Sequence, residues 1–519
     1  MAAQLSLMPN ELFLRIALSV EEVNDLRSFA RTCKRFHRLA DEALYSAFSN
    51  QETSSALTTR LFHRTMVETP ALALLVRRIK WSMAEPDLRE VMHRKRHDWY
   101  FRAFRSGVAK ESLRLLHKAA VPLAAEMGLR DRWVRDVRDD IESAKLALLL
   151  CQVPNLEELS IVWPLRAYHI VHVVRAAATR ASAGKEGALA KLRGVSINAE
   201  MFEPACLLDY PFSSTKAAPF FHLPSLKTFA ARYCVQRRAG ENDWKFPESG
   251  TSSVAHICLE QSHLDIATVS ALVRACRSLE SLEYDSCRRS GSRGIGCSHR
   301  AIVSALQCQK PSLEYLKLGF GCPIEPDARK PGKILRFAGD LREFSQLRNL
   351  ECDQVVLIGR EYPWKRSATE GLELTDILPA SVEHLTINHC GKHIAYHLSR
   401  LAAACCAQRF ENLRIVEVRM YGLRSLRNPS ALMSEFDKAG VKFDYSDSAV
   451  SQACVTQFVL GEESWHYREN DSDDEDDEGH PHELDGNERA ELTDEEDEIL
   501  AGLFSSAETD DAEVQTTRQ

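Results

Sequence analysis

The sequence predicts an α/β chain in three parts: a short helical module, a long array of strand–helix units and an acidic tail. Three observations predict it. An apolar triplet recurs through the middle of the chain, apolar residues between successive triplets fall three or four apart, and the charge balance changes sign near Gly461. At 519 residues the chain exceeds what one core can hold, so several units or a repeat array are expected.

The helical module comes first. Pro9 suits the first position of a helix, where its missing N–H would have no partner anyway. Leu12 and Ile16 lie four apart and share one face. Asn24 or Asp25 can cap a second helix. In that helix Leu26, Phe29, Ala30, Cys33 and Phe36 or His37 make one apolar stripe. About forty residues cannot build a self-sufficient core, so the module needs a partner surface or the rest of its own chain.

The order Pro9, Glu11-Leu12, Ile16, Asp25-Leu26, Phe29, Cys33, Phe36, Leu39 resembles an F-box, the helical module that docks proteins onto the Skp adaptor subunit of cullin–RING ubiquitin ligases. The usual Leu-Pro is Met8-Pro9 here, and Met fills an apolar pocket nearly as well as Leu. The usual Leu near the end of the first helix is replaced by Ser19-Val20. The resemblance covers residues 1–48. It implies Skp binding through Met8, Pro9, Leu12, Ile16, Leu26 and Phe29.

Residues 49–149 read as a helical connector. One strand-like piece, Val76/Ile79/Trp81, has the repeat's spacing and is a candidate terminal unit.

From residue 150 to 460 the triplet recurs as apolar, two residues, apolar, one residue, apolar. The instances are Leu156/Leu159/Ile161, Leu192/Val195/Ile197, Leu226/Phe229/Ala231, Val254/Ile257/Leu259, Leu279/Leu282/Tyr284, Leu313/Leu316/Leu318, Leu347/Leu350/Cys352, Val382/Leu385/Ile387 and Leu413/Val416/Val418. Their first residues are 36, 34, 28, 25, 34, 34, 35 and 31 apart. The pattern resembles the leucine-rich repeat, L-x-x-L-x-L-x-x-N/C, in which the triplet is a short strand and the Asn or Cys satisfies backbone groups where the chain turns away. Cys234, Cys287 and Cys390 stand at that position, as in the cysteine-containing repeats of many F-box receptors.

Between triplets the spacing is helical. Ile170, Val171, Val174 and Ala177 form one set; Ile266, Val269, Leu272 or Val273, and Cys276 a second; Ile394, Leu398, Leu401 and Cys405 a third. Strand then helix, repeated, gives a solenoid with a parallel sheet on its concave side. The spacing is longer and less even than the usual ~20–29 residues, so an irregular array with insertions is expected.

The tail, 461–519, holds 23 Asp plus Glu against 3 Lys plus Arg, while residues 1–460 carry a net charge of +12. A run such as Glu469–His480 repels itself and is expected to be disordered.

No signature of catalysis or cofactor binding is present: there is no G-x-G-x-x-G, G-x-x-x-x-G-K-[ST], H-E-x-x-H or G-x-S-x-G. The glycines of Gly291–Gly296 have the wrong spacing and read as an inserted loop. With C-x-x-C absent, no RING-like zinc module is expected, and the His389, Cys390, His393, His397, Cys405, Cys406 group reads as structural. Cys297, beside basic residues, is a weak candidate nucleophile. The stretch His93–Arg105 mixes basic and aromatic residues but reads as a solvated helix face, so no nucleic-acid partner is expected. No run approaches a membrane span, and Leu146–Cys151 is among the longest apolar runs. The N-terminus has no basic segment followed by an apolar core, and 15 Cys, an odd number, argue for reduced thiols in the cytosol or nucleus.

Together these features imply a non-catalytic adaptor, without cofactor or metal, that binds the Skp subunit and through it a cullin–RING ligase, and holds a protein substrate on its repeats. The rival reading is a stand-alone repeat scaffold whose N-terminal helices merely cap the solenoid.

Overall fold

In the computed structural model the recurring triplet builds one sheet. The structure describes residues 8–20, 23–50, 56–82, 107–126, 131–139, 141–163, 167–185, 187–199, 212–236, 245–286, 298–320, 339–358, 373–391, 394–421, 426 and 428–448. The expectations for Cys287, Gly291–Gly296, Cys297, His93–Arg105, His393 and the acidic tail lie outside these residues.

Among the described residues the first elements are the helices α1 (Asn10–Ser19), α2 (Val23–Ala30) and α3 (Lys34–Ser46), with α3 passing directly into β1 (Ala47–Ser49). Then come α4 (Ala56–Glu68), α5 (Pro70–Ala73), β2 (Arg78–Trp81), α6 (Gly107–Glu126), α7 (Asp131–Arg138) and α8 (Glu142–Gln152). Strands and helices alternate from there: β3 (Glu158–Val162), α9 (Tyr168–Ser182), β4 (Gly194–Asn198), β5 (Phe212–Ser213), α10 (Ser214–Phe221), β6 (Thr228–Arg232), β7 (Cys234–Val235) and β8 (His256–Ser262). The series continues through α11 (Ile266–Ala275), β9 (Ser281–Ser286), α12 (His299–Ala305), β10 (Tyr315–Phe320), β11 (Asn349–Asp353), α13 (Gln354–Ile358) and α14 (Leu374–Ile377). It closes with β12 (His384–Cys390), α15 (Ile394–Cys406), β13 (Ile415–Tyr421), α16 (Pro429–Lys438) and β14 (Lys442–Ser448).

The main sheet has 12 strands in the order β1-β2-β3-β4-β6-β8-β9-β10-β11-β12-β13-β14. Every pairing in it is parallel. The second residue of each triplet stands beside its counterpart, in a row that runs Phe48, Ile79, Leu159, Val195, Phe229, Ile257, Leu282, Leu316, Leu350, Leu385, Val416, Phe443. All nine expected triplets are buried, no member more than 4% exposed. Two-residue alternation puts these side chains on the core face and the residues between them on the open face.

One detail differs from the sequence expectation. Only the last two members of each triplet lie in the strand; the first sits two residues ahead of it, in most units closing a turn. The amides of Leu156, Leu192, Leu226, Leu347, Val382 and Leu413 each donate to the carbonyl three residues back. The first apolar residue thus plugs a turn under the core, and the strand begins after it.

Helical spacing in the intervening segments gave the three expected helices, α9, α11 and α15. In α11, Asp265 is the N-cap and its carboxylate accepts the Thr268 amide at 2.7 Å, while Val269, Leu272 and Val273 are buried. The apolar run Leu146–Leu150 is the buried centre of α8, which also buries Lys145 paired with Glu142. Cys390 fills its expected place: its Sγ lies 3.3 Å from the Ile387 carbonyl where β12 ends.

Candidate partner-docking face at the N-terminus

The core of the N-terminal module is aromatic. Phe13, 2% exposed, meets Phe36 at 4.5 Å between ring centroids, and Phe36 stacks on Phe29 at 4.6 Å. Ala17, Leu26, Ala30 and Ala40 complete it. Phe13 and Ala17 lie one turn apart on the inner face of α1. Leu12 and Ile16, the neighbouring turn-spaced pair, lie outside, each 44% exposed. Large apolar groups left outside in this way need a reason, because the module has a satisfied core beneath them.

The six residues singled out from sequence fall into an outer and an inner set. Pro9, Leu12 and Ile16 are exposed and Met8 is half-buried, whereas Leu26 is buried and Phe29 lies in the ring cluster. Three further expectations are corrected. Pro9 is the N-cap of α1, not its first helical residue, and its carbonyl accepts the amides of Leu12 and Phe13. The stripe from Leu26 to Phe36 is two helices, not one. The chain turns between Ala30 and Lys34, where the Cys33 Sγ caps α3 by accepting the Phe36 amide at 3.4 Å. Neither Asn24 nor Asp25 caps α2, which starts at Val23. Ser19, in place of the usual Leu, donates its hydroxyl to the Ile16 carbonyl at 2.8 Å and closes α1.

Sequence reasoning missed Arg35. From α3 it reaches the start of α1: Nη2 donates to the Met8 carbonyl, Nε donates to Asn10 Oδ1 at 2.8 Å, and the guanidinium lies 5.1 Å from the centre of the Phe13 ring. No periodicity announces such a residue; only the folded corner brings it there.

The module is joined to the sheet without a linker. The Ser46 carbonyl at the end of α3 accepts the Arg77 amide, and β1 pairs with β2. A cavity of about 290 Å³ at this junction is lined by Glu42, Ser46, Leu75, Arg77, Arg78, Glu157 and Glu158. Arg77 and Glu157 are paired across it at 2.7 Å.

The open face of the sheet is the other surface of interest. At its middle Lys317 lies 3.9 Å from Glu283, 3.9 Å from Asp285 and 3.7 Å from Glu351. Arg419 reaches Glu351 at 3.6 Å, and His389 Nδ1 reaches Asp353 at 2.9 Å. Burial pushes the Asp285 carboxyl up to about 6; Lys317 opposes this, and Asp353, Glu351 and Glu260 add to it. Gly319 lies between the strands of Asp285 and Asp353, and a Cβ there would stand 2.6 Å from Asp285 Oδ1.

Among the described residues, no group of three or more His, Cys, Asp or Glu is placed to hold a metal ion. Buried thiols such as Cys234, Cys276 and Cys390 are pushed up by desolvation, the opposite of what a nucleophile needs. No helix among the described residues is long and apolar enough to cross a membrane.

Compared with known families, residues 54–441 match a leucine-rich repeat domain and residues 5–51 match a family described as F-box-like. No curated protein matches the chain.

Proposed function

This chain belongs to the leucine-rich-repeat family and carries an F-box-like module ahead of its repeats, and from that premise we propose that it is the substrate-recognition subunit of a cullin–RING ubiquitin ligase. The observation that carries the reading is the outer face of α1, where Leu12 and Ile16 stand half-exposed over a module whose own core is already filled. In this reading that face, with Met8 and Pro9, docks on the Skp adaptor. Leu26 and Phe29 support the contact from inside the module.

The open face of the repeat sheet holds a protein substrate. The chain contributes no catalytic group. It raises the effective concentration of substrate lysines near a conjugating enzyme held by its partners. Calorimetric titration of a purified Skp subunit into the full chain tests the proposal: saturable binding supports it, and absence of binding sinks it.

A second reading has one observation in its favour. Because β1 completes the first edge of the sheet, the N-terminal helices also cap the solenoid. If capping were their whole role, the chain would be a stand-alone interaction scaffold, and the same titration would give no heat of binding.

A further inference from the structure

We propose that Arg35 is a positioning residue that sets the rotational phase of α1, so that Leu12 and Ile16 face the partner; the inference rests on the docking reading above. A helix of ten residues is marginal by itself, so its placement depends on tertiary contacts. Its N-cap, Pro9, has no side-chain group to bond the first amides. On α1 the inner pair Phe13/Ala17 and the outer pair Leu12/Ile16 are adjacent in sequence, about 100° apart around the axis. A modest roll of the helix would bury part of the docking pair and expose part of the core.

Arg35 opposes that roll at three points. It holds the backbone at Met8, the side chain at Asn10 and the ring of Phe13. These points run from the residue ahead of the N-cap through the first turn, so together they define both the height and the phase of the helix. The planar guanidinium makes this possible, because two donors of fixed separation can serve Met8 and Asn10 while the flat face lies against the ring. A lysine carries the same charge on a single nitrogen and lacks the fork. In this arrangement Arg35 acts through Met8 and Asn10, from within the module, and not as a contact of its own.

The test titrates a purified Skp subunit into the full chain as wild type, Arg35→Lys, Arg35→Ala, Asn10→Ala and the Arg35→Ala/Asn10→Ala pair, with thermal midpoints measured alongside. Both Arg35 variants should lose about tenfold in affinity, since the bonds removed are charge-assisted but partly exposed. Asn10→Ala should lose a smaller factor, and the pair should be no worse than Arg35→Ala alone, the non-additivity expected of residues that share one bond. Full affinity in Arg35→Lys would reduce the role to charge and overturn the inference. Additive losses would place Arg35 in the contact itself and overturn it equally. If Arg35→Ala unfolds the module, Arg35→Lys and Asn10→Ala, which keep the aromatic core intact, decide by the same criteria. A wild type that binds while every variant binds equally well removes only this inference, whereas a wild type that fails to bind removes the docking reading beneath it.

Discussion

The carbonyl of Ser46 accepts the amide of Arg77 at 2.8 Å, and through that bond the last turn of the N-terminal helical module is stitched to the start of the second strand of the sheet. The junction continues in Asn50, 4% exposed, which binds Ser82 from both sides: its Oδ1 accepts the Ser82 amide and its Nδ2 donates to the Ser82 carbonyl at 2.8 Å. Module and repeats are thus connected by short, bonded backbone.

Asn50→Ala should destabilise the chain by about 2–3 kcal/mol, because the Ser82 amide and carbonyl and the Thr59 hydroxyl all lose their bond to a buried side chain. Denaturant unfolding measures the loss. A change under about 0.5 kcal/mol, the range of an ordinary surface substitution, would show that the Asn50 bridge contributes nothing to the junction.

How the repeats read in sequence follows from the same site. The nine triplets are legible because two buried positions recur at one spacing in strand after strand, and desolvation tolerates no polar residue there without a partner. Strand β1 escapes the pattern because Asn50, bonded to Ser82, stands where the third apolar residue would be. Strand β14 escapes because Gly440, at φ +71, occupies the anchor position ahead of Phe443 and Tyr445. At the candidate site, spacing marks Leu12 and Ile16 as one face but cannot say which of two adjacent faces is inside. Nor can it see the corner at Cys33, since Leu26, Phe29, Cys33 and Phe36 keep helical spacing across it.

Gly319→Ala should destabilise the sheet by about 1–3 kcal/mol, an overpacking cost, because the new methyl would stand 2.6 Å from Asp285 Oδ1 and drive that carboxylate off Lys317. In an Asp285→Ala background the clash partner is gone. There the same substitution should be neutral or slightly stabilising, as alanine suits a strand better than glycine. Equal penalties in both backgrounds would place the strain elsewhere.

Asp285 also predicts a pH dependence. Its carboxyl ionises near 3.8 when exposed and at about 6 in the fold. Below about pH 4 both states carry the proton and the fold bears no penalty. Above about pH 6 both are ionised and the full penalty is present, about 3 kcal/mol for a shift of this size. Asp285→Asn should therefore stabilise the chain at pH 7.5, with the gain shrinking as pH falls toward 4. A gain that is constant with pH, or a loss at pH 7.5, would contradict the direction of the shift.

Leu12 and Phe13 are neighbours with opposite expectations, and that contrast tests the docking face most directly. Leu12 is 44% exposed, so Leu12→Asp removes little packing and should leave stability within about 0.5 kcal/mol of wild type. If the outer face of α1 is a contact, however, the substitution buries a charge in it. Interfaces concentrate their energy in a few such anchors, so a cost of a few kcal/mol, about a hundredfold in affinity for the Skp subunit, is expected. Phe13 is 2% exposed at the centre of the ring cluster, and Phe13→Ala should cost about 3–5 kcal/mol of stability by opening a cavity. Binding would then fall only because the helix beneath the face has lost its seat. Calorimetry with thermal unfolding on the two variants separates the cases. A folded Leu12→Asp that binds as tightly as wild type would remove the outer face of α1 from the interface, whatever Phe13→Ala does.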